Sequence, residues 1–546
     1  MKKVIGGLAV FVLVFAASVS AVGDKTKVGM LKSGFYHFHD VTDEFGFGLG
    51  NIGKLDCTVS AEQQAPYGTN RIVDCDGEVP HNEITIAVDP LDPNHAVGAY
   101  HSYQVVATGG KQHLHVVGTP SVSFNGGRTW REVGTPLTPY QFTGDPALTF
   151  DASGKLYFSN IADHEGQGGA NYTGPSVVVA SSTNGGLTWS KPVTVASGGG
   201  NAGSNGGDIF NDKDYIAADT NATGSPYKNR VYLTWTRFEE KFTGAKPFIR
   251  LPVVLSRSDD GVRWAAHTEI SGFSPACSVR LFGAPNECDL SEFSNPTVAP
   301  GGTVYVGFEN FNTPAQDQYL VVKSTNGGAS FSPPVKAADI FDFDNMPLNA
   351  DEEPTLTGCQ LRWIGPGNIA ADPSDATGRT VYVTWADNRA GSVTATDTSV
   401  FLARSTDAGD TWTVYTVDNA PNDQFYPWVA VSSTGRVDVG YMDRSYSAGQ
   451  SVCQYGFSLR RITFPSGVFT PAAKMQASTA LSDPGKSRWF SGTTNGSGTF
   501  IGDYDGVAIG SDGKTWSLWT DQRADATNAL PPNRIKGQHA VAAITP

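Results

Sequence analysis

Apolar stretches recur along the chain in pairs. Each pair is an apolar run, a turn rich in Gly, Asp or Pro, and a second run that ends in aromatic and polar residues. The first runs lie at 83–89, 146–151, 214–219, 296–299, 368–372, 428–432 and 505–509. The second runs end at Tyr100-His101, Ser159-Asn160, Trp235-Thr236-Arg237 and Phe308-Glu309-Asn310, then at Trp385-Ala386-Asp387-Asn388-Arg389, Tyr441-Met442-Asp443-Arg444 and Trp519-Thr520-Asp521-Gln522-Arg523. Short apolar runs bounded by turn residues predict strands. In the first five copies a third strand follows, as at 177–182 or 400–405. The sixth copy has its third strand near 455–461 and a degenerate turn at Pro465-Ser466-Gly467, and the seventh ends with the chain at 539–545. One small four-stranded sheet cannot bury both of its faces, so repeated sheets stack radially against each other. The pattern therefore predicts an all-β propeller over 81–546, with seven blades, or six if one weak copy is an inserted hairpin. The last copy lacks a fourth strand, which the segment near 28–37 is placed to supply.

Third strands of the first five copies run into a common turn. It reads Ser123-Phe124-Asn125-Gly126-Gly127-Arg128-Thr129-Trp130, then Ser182-Thr183-Asn184-Gly185-Gly186-Leu187-Thr188-Trp189. Two more full copies are Ser324-Thr325-Asn326-Gly327-Gly328-Ala329-Ser330-Phe331 and Ser405-Thr406-Asp407-Ala408-Gly409-Asp410-Thr411-Trp412, and 258–264 is one residue short. The Asp or Asn accepts turn N–H groups, the Gly takes φ > 0, and the aromatic ring starts the returning strand. Ser511-Asp512-Gly513-Lys514-Thr515-Trp516 looks alike but falls between a first and a second strand. This repeat resembles the Asp box of the sialidase superfamily. The resemblance implies a sialidase-like β-propeller, known there with six blades. It also implies an enzyme that hydrolyses terminal glycosidic bonds, holds a sugar carboxylate with three arginines, and uses a Tyr–Glu nucleophile with an Asp acid/base. The family's F/Y-R-I-P string has only an imperfect counterpart here, Phe248-Ile249-Arg250-Leu251-Pro252, with one residue inserted.

Composition narrows the partners. The 546 residues include 62 Gly, 32 Pro and 11% aromatic residues, which suits many short strands. The formal net charge is −14 and no basic patch stands out, which argues against nucleic acid as a partner. Lys2 and Lys3, the apolar run 4–17 and the small residues Val19-Ser20-Ala21 form a secretory signal peptide over 1–21. No later segment is apolar enough to span a membrane, so the expected product is a secreted monomer, extracellular or periplasmic, acting on glycans or glycoconjugates. Six cysteines suit that compartment. Nearness in sequence pairs Cys57 with Cys75, within an N-terminal extension over 22–80, and Cys277 with Cys288. Cys359 and Cys453 remain as the third pair.

Propeller geometry sorts the polar residues. The loop before a first strand and the loop after a second strand open on one face, and the boxes open on the other. The mouth-side candidates for catalysis are Asp145, Asp214, Glu309, Tyr441, Asp503, Tyr504 and Asp505, with Glu83, His101 and Lys213 nearby. A glycosidase needs paired carboxylates, and a tyrosine nucleophile needs a carboxylate to take its proton. Arg237, Arg389, Arg444 and Arg523, with Asp387, Asp443 and Asp521, form either an arginine cluster for a substrate carboxylate or local Asp–Arg pairs of a repeated loop. The acidic loop Asp342-Phe343-Asp344 with Asp351-Glu352-Glu353 is either solvated or a structural Ca²⁺ site; no other cofactor is indicated. Two further functions fit the same chain: a non-catalytic glycan- or protein-binding propeller, and a polysaccharide lyase.

Overall fold

The computed structural model describes residues 69–74 and 80–546, except 109–110, 165–174, 200–207, 222–223, 242–247, 281–282, 350–352, 359, 364–366, 487–499, 524–528, 531–533 and 536–537. Antiparallel four-stranded units follow one another along the described chain and make a propeller of seven blades, the first two joined by one parallel bridge at Val116–Phe142. Blade 1 holds His81–Val88, Ala96–Thr108, Lys111–Ser123 and Arg131–Glu132; blade 2 holds Phe142–Phe150, Leu156–Asp163, Ser176–Ser182 and Val193–Ala196. Blade 3 is Asp208–Ala218, Val231–Lys241, Val253–Ser258 and Thr268–Glu269, and blade 4 is Ser291–Val298, Val304–Asn310, Asp317–Ser324 and Val335–Ile340. Blade 5 runs Ile369–Ala371, Val381–Asp387, Ser399–Ser405 and Thr413–Asp418. Blade 6 has Gln424–Val431, Val437–Asp443 and Gly456–Thr463, edged by Thr470–Pro471 and Met475–Gln476. The helical segments among the described residues are three-residue 3-10 turns.

Blade 7 closes the ring. Its own strands are Gly506–Ile509, Thr515–Asp521 and His539–Thr545, and the outer place is taken by Arg71–Ile72, paired antiparallel with the last strand. The fourth strand thus does come from the N-terminal extension, at Arg71–Ile72, whereas 28–37 lies outside the described residues. First strands of consecutive blades touch all the way round, and the first strand of blade 7 touches that of blade 1. The signal peptide, Cys57, Cys75 and Cys359 also lie outside the described residues. Cys277 and Cys288 are disulfide-bonded in the segment between blades 3 and 4. Cys453 is disulfide-bonded as well, to a cysteine outside the described residues.

Stacking faces carry the core. Val97, Val122, Phe150 and Phe158 pack between blades 1 and 2. Tyr305, Val321, Val383 and Trp385 pack between blades 4 and 5. Ile86, Tyr100, Trp516 and Leu518 join blade 7 to blade 1. Each large side chain buried this way contributes about 1.5–3 kcal/mol relative to exposure, so every blade depends on two neighbours.

The repeated boxes join third to fourth strands, on the face away from the mouth. In each full copy one carboxylate or amide oxygen collects the turn. Asn125 Oδ1 accepts from Thr129 N at 3.0 Å, Asn184 Oδ1 from Thr188 N at 2.9 Å, and Asp407 Oδ1 from Thr411 N at 2.9 Å. The leading Ser accepts the N–H of the second glycine position, as from Gly127 at 3.0 Å and Gly409 at 2.8 Å, where φ is +75° and +82°. The Ser511–Trp516 string joins the first and second strands of blade 7 instead. An Asp407→Ala variant loses the acceptor for Thr411 N and for the Ser405 hydroxyl. It should unfold at lower denaturant with a loss of about 1–2 kcal/mol and an unchanged m-value.

Candidate active site

The first strands do not run straight to the mouth. In blades 1, 2, 3, 4 and 6 the pairing slips by one residue, between Asn82/Thr85, Gly144/Ala147, Asp212/Tyr215, Glu292/Asn295 and Phe425/Trp428. At the same step of each bulge a non-glycine residue holds positive φ: Glu83 52°, Asp145 51°, Lys213 46°, Phe293 56° and Tyr426 49°. Bulges re-aim side chains, and left-handed backbone at such residues costs about 1–3 kcal/mol each. Register places Tyr504 of blade 7 at the equivalent step, since Gly506 pairs with Leu518 as Asn295 pairs with Gly307. The equivalent of Phe293 in blade 5 lies outside the described residues.

These steps surround the propeller axis and concentrate charge there. Lys213 is buried, its Nζ makes no hydrogen bond, and it stands 3.3 Å above the centre of the Tyr504 ring and 5.5 Å from that of Tyr215. Such a desolvated cation–π contact is worth about 2 kcal/mol. Tyr504 Oη donates to Asp145 Oδ1 at 3.4 Å, while Asp145 Oδ2 accepts the Lys213 backbone N–H at 3.1 Å. His101 Nε2 accepts the Asp145 N–H at 3.1 Å and lies 3.2 Å from Glu83 Oε2. Burial, then the Lys213 charge, pulls the His101 pKa down to about 3, so the ring is neutral. With the ring neutral and Nε2 accepting the Asp145 N–H, the His101 proton lies on Nδ1; the tautomer is inferred from this bonding. Burial, then Asp145 and Asp503, pushes the Glu83 carboxyl well above its ordinary range, against Lys213 and Arg362. Tyr504 is likewise pushed well up, by burial and then by Asp145, Glu83 and Asp214.

Arg362 enters this site from outside the repeat. A short hairpin, Thr355–Leu356 and Leu361–Arg362, sits between blades 4 and 5. Its arginine is buried and brings Nη2 to 3.4 Å from Asp503 Oδ2. Burial opposes the charge, but Asp503 and Glu353 outweigh it and hold the guanidinium above its ordinary pKa. Tyr426 fixes the hairpin by donating to the Arg362 carbonyl at 2.6 Å. Sequence reasoning missed Arg362 because it has no counterpart in the other copies; the signal was the extra length between the fourth and fifth.

Of the sequence candidates, Asp145, Asp503 and Tyr504 meet in this cluster. Asp214 and Asp505 are buried beside it, both pushed up by burial, with Asp505 Oδ1 accepting Thr520 N at 3.3 Å. Glu309 lies in a separate acidic group with Asp317 and Asp342. Tyr441 lies within blade 6 and donates to Asp418 at 2.5 Å.

The Asp and Arg candidates pair inside their own blades. Arg389 grips Asp387 through Nε at 2.8 Å and Nη2 at 2.6 Å, and Trp385 Nε1 donates to the same carboxylate at 2.9 Å. Arg523, Asp521 and Trp519 repeat this arrangement at 2.8, 2.6 and 3.0 Å. In blade 6 Arg444 turns instead to Asp423 at 2.5 Å, and Asp443 is taken by Lys474 at 2.9 Å. Arg237 pairs with Glu239 at 2.9 Å. Arg250, of the inserted family-like string, is held by Glu239, Glu269 and Glu287. Among the described residues, the cations gathered at the axis are therefore Lys213 and Arg362.

A cleft of about 540 Å³ opens on the same face between blades 5 and 6, lined among others by Thr396, Asp397, Asn422 and Gln450. Burial and Asp423 raise the Asp397 carboxyl.

No protein-family model matches the chain, and no curated protein matches it in sequence. Solved structures do overlay loosely. The chain is similar to the Hadza microbial sialidase Hz136, at 12% identity over 80% of this chain and 73% of that one, with a TM-score of 0.42. It is similar to the GH93 α-L-arabinofuranosidase of Fusarium graminearum, at 11% identity over 69% and 92%, TM-score 0.42. A PL25 ulvan lyase overlays at 11% identity over 72% and 81%, TM-score 0.39. Overlays this loose carry neither fold nor activity; the sheet topology itself establishes the fold.

Asp505 gives a direct test of the buried charge. Its folded pKa is raised, so its contribution to stability is present below the unfolded carboxylate pKa and is lost as pH rises through the folded value. Asp505→Asn keeps the acceptor for Thr520 N. Its melting temperature relative to wild type should be unchanged near pH 4 and higher near pH 8; a difference that does not vary with pH would contradict the placement.

Proposed function

We propose that the chain is a secreted glycan-processing enzyme that hydrolyses terminal glycosidic bonds at the axial mouth of the propeller. The observation that carries this reading is the pairing of Tyr504 with Asp145 beside a raised Glu83, all on bulged or equivalent steps of neighbouring first strands. The resemblance of the box repeats to the sialidase superfamily supports the reaction class, and Cys277–Cys288 suits an oxidising compartment.

In this reading Asp145 takes the phenol proton as Tyr504 Oη attacks the anomeric carbon. Glu83, protonated where an ordinary glutamate is ionised, gives its proton to the leaving oxygen. Water then cleaves the tyrosyl glycoside, with Glu83 as base, and the proton held by Asp145 returns to Tyr504. Burial and the neighbouring carboxylates work against a free tyrosinate at 504, so the phenol proton passes to Asp145 as the O–C bond forms, with the Lys213 ammonium over the ring. Arg362 and Lys213 give the site a positive side suited to an acidic sugar. Tyr215 and Trp428, with ring centres 5.3 Å apart, offer aromatic faces nearby.

A panel of terminally labelled glycosides, sialosides and uronides included, tests the proposal. Tyr504→Phe and Asp145→Asn should each lower kcat/KM by about 10²-fold or more. Glu83→Gln should lose a similar factor on natural glycans, recover on nitrophenyl glycosides with good leaving groups, and lose the alkaline limb of the pH profile. No release from any glycoside would overturn the hydrolase reading. Products absorbing in the ultraviolet would point instead to a lyase, and saturable binding without product to a lectin-like propeller.

A further inference from the structure

We propose that blade 4 carries a divalent-cation site of the Ca²⁺ type, formed by the carboxylates of Glu309, Asp317 and Asp342 with Glu292 behind them. One carboxylate oxygen from each of the first three lies within 4.8 Å of the other two, and all three residues are buried. They come from three places in one blade: the end of the second strand, the start of the third, and the turn after the fourth.

Glu292 is an independent observation. It is the cross-strand partner of Glu309, and directly opposed residues project from the same face. It is fully buried, and neither of its carboxylate oxygens has a hydrogen-bond partner. Two glutamates facing each other in a dry interface destabilise a sheet unless something positive or a proton stands between them. Arg362 relieves Glu292 in part. Glu309 stands beside the Asp342 and Asp317 carboxylates in the same buried group.

Placement also suits a structural cation. Alternation puts Glu309 on the side of its strand that carries Tyr305, whose hydroxyl donates to Gly378 O of blade 5 at 2.9 Å. Next to Asp342, the Phe341 carbonyl accepts Asn388 N at 2.8 Å, again from blade 5. A cation here ties two blades together close to the hairpin that carries Arg362. Hard oxygen ligands in an irregular, carboxylate-rich set favour Ca²⁺ over Mg²⁺, which demands near-octahedral geometry.

The site does not depend on the glycosidase reading, and its test reads no activity. The full-length protein is stripped with EGTA, re-equilibrated with CaCl₂ or MgCl₂, and assayed for bound metal by mass spectrometry and for melting temperature. Ca²⁺ is expected to raise the melting temperature by at least about 2 °C. Glu309→Gln and Asp342→Asn should each lower bound Ca²⁺ by one per chain and abolish that shift, whereas Asp375→Asn, on a surface turn of blade 5, should leave both unchanged. Retention of the full Ca²⁺ complement by Glu309→Gln overturns the proposal. Should that variant not fold, wild-type protein that binds no Ca²⁺ and melts identically with and without EGTA overturns it equally, and means that these carboxyls hold protons.

Discussion

A four-stranded blade has two apolar faces and can bury neither by itself. Everything else in this protein follows from that constraint. Trp235, Trp385 and Trp519 are fully buried only because another blade lies against each of them. A ring is the arrangement in which no blade is left with a bare face, and it holds only if the last sheet is complete. Arg71–Ile72 completes it by pairing with the C-terminal strand, so the two ends of the described chain are joined across one sheet. A closed ring also forces the first strands toward one axis, where their mouth-side ends meet.

That convergence explains why the charged chemistry is where it is. Bulges at Glu83, Asp145 and Lys213 turn polar side chains into the axis in three consecutive blades, and Tyr504 arrives from the blade before them. The strained backbone and the buried charges are both unfavourable, and the surrounding interfaces over-determine the structure enough to hold them. Their mutual effects set opposite protonation states at close range. Burial and two other carboxylates disfavour the charge on Glu83 and push its carboxyl up, whereas burial and Lys213 disfavour the His101 imidazolium and pull its pKa down.

The Asp–Arg repeats show the opposite use of charge. Asp387 and Asp521 each bind their own arginine and their own indole at matching distances, which is what a repeated structural role produces. Blade 6 departs from the pattern, with Arg444 turned to Asp423, and its second strand carries Tyr441 where the other two carry tryptophan. The indole N–H and the guanidinium fork together fix the aspartate where the arginine stands two residues after it; Arg444 follows Asp443 directly and reaches Asp423 instead.

The amino-acid sequence by itself determined the local elements: paired strands, five related turns, the number of copies and the face on which each loop opens. These are legible because each depends on residues a few positions apart, as in Asp407, Gly409 and Thr411. Tertiary structure alone decided which polar groups meet. Asp145, Lys213 and Tyr504 are hundreds of residues apart at the extremes, and only ring closure brings Tyr504 of blade 7 to the axial ends of blades 2 and 3. Arg362 was not legible because it sits in an insertion that no repeat predicts. The separation of Glu309 from the axial group was not legible either, because strand register, and not sequence spacing, sets it opposite Glu292 and on the side that faces blade 5.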